Sequence, residues 1–173
     1  MRHPVTVAID GMSGAGKTTL ADSLAQILDC NIIHMDNFFL PQDRKKPARL
    51  AQPGGNVHYE RFAQEVLPGI CSGKPFSYGK FDCSVGKVTQ RIRVLPKPLY
   101  IVEGVYSLHS ALAAAYDLKI FLEVQGETQL ARIRARGGEP LLQRFITEWI
   151  PLENQYFAHM HIREHCDFIF QTE

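Results

Sequence analysis

The stretch GMSGAGKT, residues 11–18, carries the clearest chemistry in this chain. It has the spacing G-x-x-x-x-G-K-[ST] through Gly11, Gly16, Lys17 and Thr18. It follows an apolar, β-branched run, VTVAID (5–10), and opens a helix-like stretch, the context such a loop needs. Glycines let the backbone wrap a phosphate without Cβ clashes. The loop N–H groups and the helix N-terminus then face phosphate oxygens. The expected contacts are Gly11, Ser13, Gly14, Ala15, Gly16, Lys17, Thr18 and Thr19. Lys17 would reach the β- and γ-phosphates, and the Thr18 hydroxyl would help hold Mg²⁺. The expected ligand is therefore a nucleoside triphosphate, ATP or GTP, with magnesium.

Two carboxylates stand where they could complete a reaction. In IIHMDNFFLP (32–41), Asp36 comes directly after a short apolar run; in LYIVEG (99–104), Glu103 closes another. Ligands of open parallel sheets sit beyond the carboxyl ends of strands. If these strands neighbour the one before the phosphate loop, both acids face one γ-phosphate, which is the geometry of phosphoryl transfer. Asp36 would orient or accept the proton of an attacking hydroxyl, and Glu103 would support Mg²⁺. Phe38 and Phe39 would wall a flat or apolar part of the acceptor. The residues also allow Asp36 to cap a turn and the phenylalanines to fill the core. Further along, QLARIRARGGEPLLQRF (129–145) carries Arg132, Arg134, Arg136 and Arg144. Arg132 and Arg136 share a helix face and suit a transferring phosphoryl group, with Arg144 next and Arg134 solvated. Gly137-Gly138 supply a break at which such a lid could hinge.

The elements that must position these groups can be read from periodicity. Strands are expected at 5–10, 30–35, 99–104, 118–124 and 167–171. Helices are expected at 17–28 (with Leu20, Leu24, Ile27 and Leu28 on one face), 59–70, 127–136 and, despite Pro151, 140–159. Rough alternation between 76 and 95 suggests a hairpin or excursion, and 41–57 reads as a polar loop. Trp149 is expected as a packing anchor between the last helix and the sheet. Strands separated by helices imply an α/β fold, a parallel sheet covered on both faces.

Taken together, GMSGAGKTTLA, HMDNFF and YIVEGVYSLH, in this order, resemble the uridine kinase family of P-loop kinases, with the related nicotinamide riboside kinases sharing much of the pattern. RFITEWIPLENQYF (144–157) is similar to the tail of uridine-kinase-like bacterial proteins. The resemblance implies a five-stranded parallel sheet in the order 2-3-1-4-5 with a mobile helical lid. It implies that Asp36 matches the catalytic aspartate, Glu103 the acid near magnesium, and Lys17 and Thr18 the phosphate and metal contacts. The implied activity is transfer of the γ-phosphoryl of ATP or GTP to a hydroxyl, foremost the 5′-hydroxyl of a nucleoside such as uridine. Alternatives are another hydroxylated acceptor (nicotinamide riboside, pantothenate or a sugar) or a nucleotide-dependent switch without catalysis. The family places an acid near the start of the second helix to grip sugar hydroxyls. Here GGNVHYERF (54–62) offers Asn56, His58 and Tyr59 instead. His58, Tyr59 and Asp82 are the further candidate substrate contacts.

Bulk properties bound the rest. The chain has 173 residues, suited to a single domain, 1–173, with an acceptor-side excursion at about 41–95 and a lid at about 132–144. A net charge of +1 provides no basic field for nucleic acid or a membrane surface. No apolar run approaches the roughly 20 residues of a membrane span. The four cysteines form no C-x-x-C pair and fit a reducing cytoplasm. The expected partner is a small-molecule hydroxyl acceptor, and a homo-oligomer is compatible with the sequence.

Overall fold

A computed structural model describes residues 3–173. Its centre is a five-stranded, all-parallel sheet. The strands are β1 (Val5–Gly11), β2 (Cys30–His34), β5 (Leu99–Glu103), β6 (Leu118–Val124) and β7 (Phe168–Thr172), in the order β2-β5-β1-β6-β7. This is the order expected from the sequence once the hairpin strands β3 (Phe76–Asp82) and β4 (Lys87–Val94) are counted; they form a separate antiparallel pair.

The inner strands β1, β5 and β6 read as apolar runs because both of their faces are covered, whereas the edge strand β7 is exposed. Along β1 the alternation sorts the two faces. Val7 and Ile9 pack with Ile101, Ile120, Leu122 and Ala21, while Ala8 packs with Ile33, Tyr100, Val102 and Phe121. Helix α1 (Lys17–Ala25) covers the first face. It is shorter than expected: it ends at Ala25, and Ile27 and Leu28 are exposed, Ile27 at 78%. Ala21 makes the buried contact, and the chain must then leave the helix to enter β2 at Cys30. The second face is covered by α3 (Tyr59–Glu65), α4 (Leu67–Ser72) and α6 (Ile150–His159), through Phe62, Ile70 and Tyr156. The single helix expected at 59–70 is two, divided at Val66 ahead of Pro68, whose missing N–H suits the first turn of a helix and not its interior. A short helix, α2 (Pro47–Leu50), interrupts the polar loop.

Registers matter for function. Glu103 at the end of β5 is opposite Ile9 of β1 on one side and His34 of β2 on the other. The ends of these three strands are therefore level, and the three loops that leave them emerge at one place. Helix α5 (Gly126–Arg144) is broken at Gly138, with φ 72° and ψ −173°, just before Pro140. A left-handed φ at that point suits glycine, and the proline cannot donate the helix bond that would repair the break. A π-helical turn, Phe145–Trp149, then leads into α6, where Pro151 occupies a first-turn position.

Candidate active site

The loop between β1 and α1 floors a cleft of about 1320 Å³. Ser13 through Thr19, Asp36, Phe39, Glu103, Arg132, Arg136 and Arg144 all line it. Gly11 lies behind the loop. A Cβ there would meet the Leu122 carbonyl oxygen of β6 at 2.0 Å, so the strand can pass this close to β6 only as glycine. Lys17 is buried and its Nζ donates to the carbonyls of Gly11 (2.7 Å) and Met12 (2.9 Å). Burial lowers its pKa, while Asp10, Glu153, Glu103 and Asp36 act the other way. The ammonium is thus held among four carboxylates.

Glu103 joins two neighbours. Its Oε2 accepts from the Thr18 hydroxyl at 3.1 Å, and its Oε1 is 2.5 Å from His34 Nδ1. That hydrogen bond raises the pKa of His34. Asp36 sits on the short 3₁₀ turn Met35–Phe38 that comes after β2. Water reaches its carboxylate through the mouth of the cleft, but protein surrounds it. Burial, and then the nearby Glu103 charge, raise its pKa; Lys17, Arg136 and His34 oppose this. A carboxylate so placed is a better proton acceptor than an ordinary aspartate.

Thr18 and Glu103 provide adjacent hard oxygen donors beside the phosphate loop, the chemistry magnesium prefers. Among the described residues no group of three or more His, Cys, Asp or Glu side chains could hold a metal by itself.

Not every sequence candidate reaches the cleft. Phe38 is fully buried against Phe62 and Tyr78, with ring centroids 5.0 and 5.4 Å away, under the Arg61 guanidinium. It fills the core, and only Phe39 of the pair walls the cleft. The 3₁₀ turn explains the split, since it points consecutive side chains in different directions. His58 precedes α3 and meets Arg44 at 3.2 Å; Tyr59 is sandwiched between the Arg49 guanidinium (4.4 Å) and the His109 ring (4.0 Å). Asp82 caps the hairpin turn, accepting from the Ser84 N–H (2.8 Å) and hydroxyl (2.6 Å). None of these three lines the cleft. Trp149 also departs from expectation. It packs edge-on against Phe145 at 4.6 Å in a small core beside α5 and faces the cleft, not the sheet. Arg134 pairs with Glu139 on the exposed side, as a solvated residue should.

Four polar residues at the site were not singled out by sequence. Buried Asp10 accepts from the N–H of Gly11 (2.7 Å) and Leu108 (2.9 Å) and from the Tyr156 hydroxyl (2.7 Å). Glu153 accepts from the N–H and hydroxyl of Ser13. Gln129 donates to the Ser13 carbonyl at 2.9 Å. The fourth is His34, paired with Glu103. Asp10 left one signal, an acid closing an otherwise apolar buried strand. The others lie in ordinary polar stretches.

The sequence has known relatives. Uridine kinase from Clostridium perfringens is 23% identical over 175 residues, spanning 90% of this chain and 82% of that protein. Nicotinamide riboside kinase from Eremothecium gossypii is 26% identical over 165 residues, spanning 83% and 68%. The chain is similar to curated members of the uridine kinase family of P-loop kinases. A solved structure described as a possible uridine kinase from Bacillus stearothermophilus superposes with a TM-score of 0.73 at 16% identity, covering 98% of this chain and 90% of that one. At that identity the likeness shows the P-loop kinase fold. No protein-family model matches the chain. Among the described residues no helix is long and apolar enough to cross a membrane.

Proposed function

We propose that this protein is a small-molecule kinase that moves the γ-phosphoryl group of ATP or GTP to an acceptor hydroxyl, with the 5′-hydroxyl of a nucleoside such as uridine as the leading acceptor. One observation carries the reading. Asp36 and Glu103, from two different strand ends, converge on the side of the cleft where Lys17 and Thr18 emerge from the phosphate loop. A binding protein without an acceptor has no use for Asp36 there.

In the reaction, loop amides and Lys17 hold the β- and γ-phosphates. Asp36 takes the acceptor's proton as its oxygen bonds to the γ-phosphorus, the bond to the β-phosphate oxygen breaks, and the nucleoside diphosphate leaves. Arg136, on the lid helix, stabilises the transferred charge, and Arg132, which also lines the cleft, joins it from a guanidinium held by the carbonyls of Gly14 and Glu173 and the Thr172 hydroxyl. Magnesium, held beside Thr18 and Glu103, would supply further charge neutralisation between the phosphates. Closing the lid over the cleft would exclude water and limit hydrolysis. A need for ATP and four free cysteines support a cytoplasmic setting.

A second reading is favoured by the acceptor wall. Phe39, Leu40, Gln42, Lys45, Asn56, Phe81 and Cys83 line it beside Asp36, while the cleft's other acids are already engaged: Glu103 by Thr18 and His34, Glu153 by Ser13 and Glu148 by Arg144. With Asp82 on the hairpin turn, no second acid grips a pair of ribose hydroxyls. That favours a different hydroxylated metabolite, such as pantothenate or a sugar. The deciding experiment is ATP-to-ADP conversion against uridine and other nucleosides, nicotinamide riboside, pantothenate and simple sugars. Turnover that depends on one acceptor establishes the kinase and names its class. Slow turnover that no acceptor stimulates would instead leave a nucleotide-dependent switch.

A further inference from the structure

Glu153 is 4% exposed, lies on α6, and is 140 residues away in sequence from the loop it touches. Its Oε2 accepts from the Ser13 N–H at 3.1 Å, and its Oε1 from the Ser13 hydroxyl at 2.5 Å. A buried carboxylate spent on a single serine is costly unless the contact does something. Here both acceptor oxygens are used to fix one residue of the phosphate loop. The same helix reaches the loop again one turn later, where Tyr156 donates to Asp10, and Asp10 accepts from the Gly11 N–H. Residues 153 and 156 share a helix face, so α6 forms a two-point clamp on residues 10 and 13. From α5, Gln129 and Arg132 donate to the carbonyls of Ser13 and Gly14. The loop's shape is therefore set by the two helices on either side of the lid break, and not by its own glycines alone.

We propose that Glu153 is a positioning residue for nucleotide binding, acting through Ser13 to hold the phosphate loop in its binding shape. The proposal rests on the reading of this loop as a nucleoside triphosphate site. Glu153 touches no reacting atom in this scheme. Among the described residues the Ser13 hydroxyl has one hydrogen-bond partner, Glu153. Burial raises the pKa of Glu153, and the two hydrogen bonds donated by Ser13 oppose that.

The test is equilibrium binding of ATP with magnesium to the full chain, with thermal midpoints measured beside it. The variants are Glu153→Ala, Glu153→Gln, Ser13→Ala and the Glu153→Ala/Ser13→Ala pair. Glu153→Ala is expected to weaken ATP binding about tenfold and Ser13→Ala a few-fold, with the pair no weaker than Glu153→Ala alone. Glu153→Gln can still accept from the Ser13 N–H and is expected to recover most of the affinity, which also covers the case in which the alanine variant fails to fold. The proposal is overturned if the variants lower the thermal midpoint but bind ATP like the wild type, if Glu153→Gln binds as poorly as a folded Glu153→Ala, or if the two alanine effects simply add. A wild-type chain that binds no ATP would give a different result, removing the nucleotide reading and this proposal with it.

Discussion

The two halves of the cleft are built by different physics. On the phosphate side, polar groups are buried and paired: Lys17 with two carbonyls, Asp10 with three donors, Glu103 with Thr18 and His34, Glu153 with Ser13. On the acceptor side the wall mixes Phe39, Leu40, Phe81 and Cys83 with Gln42, Lys45 and Asn56, and it is held in place from behind. Arg49, in α2, donates to the carbonyls of Gly55 and Val57 (both 3.0 Å) and grips both oxygens of Glu60 (2.6 and 2.9 Å). A buried polar network tolerates few substitutions, since each loss strands a partner. The apolar part of such a wall accepts many shapes at small cost. The phosphate side therefore suits a ligand common to many proteins, and the acceptor side is where one kinase can differ from another.

The sharpest break in this comparison is Asp36, the one acid that both halves share. Asp36→Asn preserves shape and hydrogen bonding but cannot take a proton. Acceptor-dependent turnover should fall about 10²–10⁴-fold, the usual worth of a general base. ATP binding should change little, since the phosphate contacts remain. Turnover kept at the wild-type level would show that Asp36 serves only to terminate β2.

The adjacent phenylalanines divide the halves of a different boundary, that between core and cleft. Phe38→Ala empties a fully buried site and should cost about 3–5 kcal/mol of stability, read by denaturant unfolding. Phe39→Ala removes a cleft wall, so its main effect should be a raised acceptor KM with stability close to wild type. Equal losses of stability from both would mean that the cleft wall is core as well.

Sequence made the phosphate side legible and left the acceptor side obscure, and the reason lies in the same contrast. Gly11 to Thr18 act through local backbone shape, so their spacing along the chain is itself the signal. Asp36 and Glu103 could be found because each ends an apolar strand, and the parallel registers then brought them level. Phe38 and Phe39 differ only in which way a 3₁₀ turn points them, which no periodicity records. His58, Tyr59 and Asp82 have suitable chemistry but are spent on a helix start, a stack and a turn. Glu153 and Arg49 act across the fold or within an irregular loop, where polar residues are ordinarily solvated and carry no pattern.

A smaller effect should come from Arg49→Ala. The Glu60 pair is partly exposed and screened, so most of the loss lies in the two carbonyl contacts, about 1–2 kcal/mol in all. The sign of a local role would be faster proteolysis within 41–57 and a raised acceptor KM, with ATP binding unchanged. Weakened ATP binding would mean that the two halves are mechanically joined.

The gentlest probe of the acceptor side is pH. His109 is buried beneath Gly54 and stacked on Tyr59, and burial, followed by the Arg49 charge, lowers its pKa from 6.5 to about 4. Between those values the unfolded chain binds a proton that the folded chain refuses. Stability must then fall as pH drops from about 6.5 toward 4, and the slope disappears above 6.5, where both states hold a neutral ring. Three acids act the other way. Asp10, Asp36 and Glu153 all have raised pKa values, so they take up protons in the folded state and favour folding as pH falls. The His109 contribution therefore has the opposite sign and is isolated by difference. His109→Gln should be less destabilised than wild type on moving from pH 7 to pH 5, whatever its stability at pH 7. Parallel pH profiles for the two proteins would place the proton elsewhere and leave the Tyr59–His109 stack as packing alone.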